Sequence, residues 1–193
     1  MNLLGFMVRI NEQIPDELIF DAYHQNEIKK INISEGNKWR ILVFYPADFT
    51  FICPTELGDF ASLYAQFKDE GAEVYGVSTD SAFVHFAWHD SSPIIKTVDF
   101  PMIADPTGKL CREFGTYIDE EGLSLRGTFI IDPDGKLKAY ELGDNSIGRS
   151  AQETLRKLQA AKFVRENGGE VCPANWKPGA KTLKPGLNLV GKI

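Results

Sequence analysis

The sequence predicts an α/β protein, on three observations. Strand-like and helix-like stretches alternate, the apolar run Ile41–Tyr45 has the character of a central strand buried on both faces, and no repeat or low-complexity block interrupts the pattern. The 193 residues are enough for one compact domain and an arm, and 43% hydrophobic with 25% charged residues is ordinary for a globular protein. A net charge of −6 argues against nucleic acid or an anionic membrane surface as a partner. No apolar run approaches the roughly 20 residues that span a bilayer. The start, MNLLGFMVRI, has neither a basic leader nor a small-residue cleavage site, so it is not read as a signal peptide and the expected location is the cytoplasm.

After the strand at 41–45, Pro46 breaks the run. Residues 54–70 place Leu57, Phe60, Tyr64 and Phe67 at helical spacing, with Pro54 suited to the first turn and Gly71 to the stop. A strand over 73–78 follows, then a helix over 81–89 bearing Phe86 and Trp88, a short strand over 101–104 and a short helix over 109–114. Strands over 125–131 and 137–142 flank Asp132-Pro133-Asp134-Gly135, a hairpin turn. Ser150 and Glu153 form a capping-box pattern. It opens a long helix with Leu155, Leu158, Ala161 and Val164 on one stripe, ending near Asn167. Beyond it, Pro and Gly without periodicity predict an extended, mobile arm. The expected division is 1–168 for the folded domain and 169–193 for the arm.

Three cysteines, Cys53, Cys111 and Cys172, are too few for a disulfide scaffold. Cys53 stands out. It ends the loop PADFTFIC and sits where a helix begins, so unpaired N–H groups and the positive end of the helix dipole point at it. Thiols in such places have pKa values down to ~6 and below, against ~8.5 for a free thiol, which raises the thiolate roughly 30-fold at pH 7. The competing reading is a buried, inert cysteine. Cys172, in GGEVCPANW on the arm, is either a thiol that travels or a plain exposed one. Cys111 lies beside Leu110 and Phe114, which favours core packing. Arg126, in the apolar strand LSLRGTFII, either meets an anion or faces water from an edge. His85 and His89 are four apart, but no metalloprotease pattern and no Cys-x-x-Cys accompany them, and no histidine has an evident partnership with Cys53.

These residues carry a resemblance. Pro46-x-x-x-Thr50-x-x-Cys53 matches a motif of the peroxiredoxins, Glu170-Val171-Cys172-Pro173 resembles the resolving-cysteine site of their typical 2-Cys members, and the ending Leu189–Ile193 is similar to that of the bacterial alkyl hydroperoxide reductase type. The resemblance implies a thioredoxin-like fold, a central mixed sheet flanked by helices, with an N-terminal hairpin extension. It implies that Cys53 attacks a peroxide, that Thr50 hydrogen-bonds thiolate and peroxide, that Pro46 shields the pocket, and that Arg126 stabilises the leaving oxygen. Glu56 and Arg149 would orient the site. Cys172 of a partner subunit would form the disulfide, and a flavoprotein disulfide reductase or thioredoxin would reopen it, with no metal, haem or flavin in this chain. Phe83, Val84 and Phe86 match the surface that builds homodimers into a decamer. A Gly-Gly-Leu-Gly insertion and a Tyr-Phe helix, carried by overoxidation-sensitive members, are missing from the sequence, which implies a robust enzyme. The rival classes are a thioredoxin-type reductase, which lacks its Cys-x-x-Cys here, and a non-enzymatic holdase or peroxide sensor.

Overall fold

The computed structural model describes residues 8–193, so most of the apolar start weighed above lies outside the described residues. A hairpin of β1 (Ile19–His24) and β2 (Glu27–Asn32) comes first. Its two turn residues, Gln25 and Asn26, both have positive φ (52° and 63°), as a tight hairpin turn demands. Then come β3 (Trp39–Phe44), α1 (Cys53–Ser62), α2 (Tyr64–Asp69), β4 (Ala72–Ser78), α3 (Ala82–Ser91), β5 (Met102–Ala104) and α4 (Lys109–Glu113). Strands β6 (Tyr117–Ile118) and β7 (Leu123–Ser124) pair with each other. The chain continues through β8 (Arg126–Ile131), β9 (Leu137–Gly143) and α5 (Ala151–Glu166).

Seven strands form one mixed sheet in the order β2-β1-β5-β4-β3-β8-β9. The β3–β4 and β4–β5 pairs are parallel and the others antiparallel. A parallel pair joined through helices and followed by an antiparallel hairpin is the thioredoxin-like arrangement that the resemblance implies. All six residues of β3 and all six of β8 are buried, Arg40 and Arg126 included, which explains the unbroken apolar run that begins at Ile41. Their antiparallel register sets Phe44 opposite Gly127. The end of β3 and the start of β8 therefore lie at the same edge, with Arg126 beside the loop that leads to Cys53. A side chain at Gly127 would come within 2.9 Å of Phe129 and Thr116, so glycine keeps this junction tight. At the opposite hairpin, Asp132 Oδ1 accepts from the amides of Asp134 (3.0 Å) and Lys136 (2.8 Å).

One detail of the N-terminal part differs from the expectation. The helix over 54–70 is interrupted at Leu63, whose amide bonds to Phe60 one residue too early for an α-helix (3.3 Å). Spacing cannot reveal this, because Leu57, Phe60, Tyr64 and Phe67 are buried on either side of the bend. The chain forms two compact units, Met1–Ala151 and Gln152–Ile193, with all of α5 beyond its first residue in the second.

Within the C-terminal unit the arm is held in place. Val171 and Leu183 exchange backbone hydrogen bonds (2.9 and 3.0 Å), and Trp176, only 4% exposed, sets its ring 5.0 Å from that of Phe163. Arg156 donates to the Trp176 carbonyl (3.2 Å), and the Cys172 thiol points at the carbonyl of Ala160 (3.8 Å). Arg156, Ala160 and Phe163 recur at i, i+4 and i+7, a stripe on α5 that carries the arm. The expected stripe is only half used: Leu155 and Leu158 are buried, but Val164 is exposed.

Candidate active site

Cys53 is the first residue of α1 and is fully buried. Ile52 precedes it without a side-chain cap, and Pro54 takes a position where its missing N–H costs nothing. Arg126, at the head of β8 and 3% exposed, donates through Nη1 to Cys53 Sγ (3.4 Å) and to Glu56 Oε2 (2.6 Å), and through Nε to the Asn145 carbonyl (2.9 Å). Of the two readings of Arg126, the buried cation with anionic company is the one seen.

Glu56, one turn into α1, is held from both sides. Its Oε1 accepts from the amide and Nε of Arg149 (both 2.8 Å), and its Oε2 from Arg149 Nη2 (3.1 Å) as well as from Arg126. Arg149 also donates to the Gly127 carbonyl (2.7 Å) and Thr128 Oγ1 (3.1 Å). Burial pushes the Glu56 carboxyl up, but the hydrogen bonds and charge of Arg149, with the charge of Arg126, outweigh it and hold the group below the usual carboxylate range. Two cations against one anion leave the cluster with a surplus positive charge. Arg126 directs it at the sulfur, where it complements negative charge on the sulfur or on an oxygen leaving from it.

Pro46 is buried at the start of the loop. Thr50 donates its hydroxyl hydrogen to the Ala47 carbonyl (2.7 Å). A hydroxyl has one hydrogen, so this proton is not directed at Cys53, and the oxygen lone pairs remain to accept. Among the described residues, no group of three or more His, Cys, Asp and Glu side chains is placed to hold a metal ion.

A buried thiol at a helix mouth facing a guanidinium suits attack on an electron-poor atom with a leaving group that gains charge. Known proteins say which chemistry this frame belongs to. Residues 10–140 match the model of the AhpC/TSA family, and residues 160–188 match the C-terminal domain of 1-Cys peroxiredoxin. The chain belongs to the AhpC/TSA family of peroxiredoxins. It is 49% identical to alkyl hydroperoxide reductase C of Pseudomonas aeruginosa over 97% of this chain and 100% of that one. Identity is 54% to the protein of the same name from Amphibacillus xylanus, over 81% and 83%. Among solved structures, AhpC of Enterococcus faecalis aligns with a TM-score of 0.83 and 46% identity, covering 86% of this chain and all of that one.

The other two cysteines have different surroundings. Cys172 lies in the C-terminal unit, half-buried, and burial raises its thiol, Arg156 opposing and Glu170 adding to the shift. Cys111 is fully buried in the core with Leu110 and Phe114, as its neighbours suggested. Burial pushes its thiol up to about 12, helped by the charge and hydrogen bond of Asp105. Phe83, Val84 and Phe86 lie on α3, the two phenylalanines exposed. Phe49 and Phe51, in the loop before Cys53, are exposed too, which sequence reasoning missed. It also missed a buried partner for His85, although a histidine three residues from both Ala82 and Trp88 on one helix face has to find one.

Proposed function

We propose that this peroxiredoxin is a thiol-dependent peroxidase that reduces hydrogen peroxide and small organic hydroperoxides. The observation that carries the reading is the buried Cys53 sulfur facing Arg126 Nη1 at 3.4 Å, at the mouth of α1. The Cys53 thiolate attacks the terminal oxygen of the hydroperoxide. The S–O bond forms as the O–O bond breaks, leaving Cys53 as a sulfenic acid and releasing an alkoxide or hydroxide that takes up a proton. Arg126 stabilises the charge growing on that leaving oxygen. Thr50 Oγ accepts a hydrogen bond from the peroxide O–H, Pro46 keeps water out, and Glu56 with Arg149 fixes the Arg126 guanidinium.

The thiol of Cys172 from a second subunit then condenses with the sulfenic acid, expelling water and forming the disulfide. Cys53 is buried, so the first turn of α1 must open for the sulfurs to meet. A dithiol reductant, a flavoprotein disulfide reductase or thioredoxin, restores both thiols by exchange. Exposed Phe83 and Phe86 support association of dimers into a decamer through α3, with Val84 between them. Among the described residues no helix is long and apolar enough to cross a membrane; the cytoplasm is the proposed location.

A non-reducing gel after one equivalent of peroxide tests the cycle. Wild type is expected to give a disulfide-linked dimer that neither Cys53→Ser nor Cys172→Ser gives, with sulfenic acid accumulating in Cys172→Ser. A full dimer band from Cys172→Ser would overturn the assignment of the arm.

A further inference from the structure

The loop between β3 and α1 inverts the usual order of burial. Phe49 and Phe51 are exposed, whereas Asp48 between Pro46 and Thr50 is buried. A carboxylate accepts burial only when its oxygens are taken up. Tyr45 donates its hydroxyl to Asp48 Oδ1 (2.7 Å), and His85 Nδ1 meets Oδ2 (2.7 Å). The Asp48 amide donates to Asp80 Oδ2 (2.8 Å), which Ser78 Oγ also holds (2.7 Å). His85 Nε2 faces the carbonyl of Ile103 (3.1 Å). A carbonyl can only accept, so Nε2 carries a hydrogen, and Nδ1 and Asp48 share a single proton.

These ties run from the loop to four rigid places: the end of β3, the end of β4, the middle of α3, and β5. Their consequence is local. Next to Asp48, Phe49 adopts φ +56°, a left-handed conformation that a bulky residue keeps only where its surroundings impose it. Within the same turn Thr50 donates its hydroxyl hydrogen back to the Ala47 carbonyl (2.7 Å), so its oxygen is left to act as an acceptor, three residues before Cys53.

We propose that Asp48 and His85 are positioning residues of the peroxide pocket: the buried pair, with Tyr45, anchors the Pro46–Thr50 loop to the sheet and to α3 and so aims Thr50 at the substrate of Cys53. This rests on the peroxidase reading above. Attack on an O–O bond requires sulfur and both oxygens in line, and displacement of an aligning group by about 1 Å costs up to ~10²-fold in rate.

The test compares two reactions of Cys53 in the full-length protein, oxidation by hydrogen peroxide and alkylation by iodoacetamide, both followed by quenched mass spectrometry. Alkylation needs no loop alignment. Asp48→Ala is expected to slow oxidation about 10- to 100-fold with no fall in alkylation. Asp48→Asn can keep every bond, accepting from Tyr45 and donating to a neutral His85 Nδ1, and is expected to stay within about threefold of wild-type oxidation. Tyr45→Phe loses one hydroxyl and no volume, and is expected to slow oxidation roughly threefold, which carries the test if Asp48→Ala does not fold. Wild-type oxidation rates in both Asp48→Ala and Tyr45→Phe, a loss in Asp48→Asn equal to that in Asp48→Ala, or a parallel fall in alkylation would each overturn the proposal. If wild-type Cys53 is alkylated but not oxidised, the peroxidase reading itself fails, and this inference with it.

Discussion

Cys53 and Cys111 are equally hidden from solvent, and both lie in the helices of one compact unit, yet they face opposite charges. Cys53 meets the Arg126 guanidinium at 3.4 Å. Cys111 sits beside Asp105, whose Oδ2 accepts from the Cys111 amide at 2.8 Å, and burial first, with that carboxylate adding to it, pushes its thiol up to about 12. Burial alone makes a cysteine inert; what separates these two is the sign of the nearest charge and the polar groups arranged behind it. Behind Cys53 stands a cluster with two cations and one carboxylate, while behind Cys111 stands a carboxylate with one oxygen, Oδ1, that no partner satisfies.

Removing the charge at Cys53 breaks the comparison most sharply. Arg126→Met is expected to slow oxidation of Cys53 by hydrogen peroxide about 10²- to 10³-fold in stopped-flow measurements, the range for a lost donor to a developing anion. Glu56→Gln acts on stability. It leaves Arg126 and Arg149 buried with less negative charge, for a loss of about 3–5 kcal/mol in urea unfolding at pH 7. Glu56 is held below the ordinary carboxylate range, so the stability it adds is complete above the unfolded value of ~4.3 and is lost as pH falls through the lower folded value. The gap between wild type and Glu56→Gln should therefore close in acid, and a gap unchanged below pH ~4 would contradict the linkage. The smallest effect is expected at Cys111. A pH of 8 lies about four units below the raised value of this thiol, so about one molecule in 10⁴ is ionised, and alkylation of the folded protein there should be negligible over hours.

The parts of this arrangement differ in how far the sequence discloses them. Strand 41–45 reads from a continuous apolar run because both faces are covered, strand 125–131 from the turn at 132–135 that it flanks, and the helix after Cys53 from 3.6-residue spacing. The β1–β2 hairpin has no such signal, since no residue of β2 is buried and four of its six are exposed; the family resemblance supplied it. The site depends on pairings across long separations. Arg126 is 73 residues from Cys53, and Arg149 is 93 from Glu56. An arginine in an apolar strand announces only that some anion is needed, and the sheet register decides which one. The Asp48–His85 pair illustrates the same limit: each residue is conspicuous in its own stretch, but only the packing of α3 against the end of β3 joins them.

The central claim is that charge placement, with burial equal, selects Cys53 over Cys111. The most direct measurement is site-resolved mass spectrometry of Cys172→Ser protein treated with one equivalent of hydrogen peroxide and a sulfenic-acid trap, beside the same protein carrying Arg126→Met. The account predicts nearly complete trapping at Cys53, none at Cys111, and a large slowing at Cys53 without Arg126. Trapping at Cys111, or Cys53 oxidised equally fast without Arg126, would contradict it.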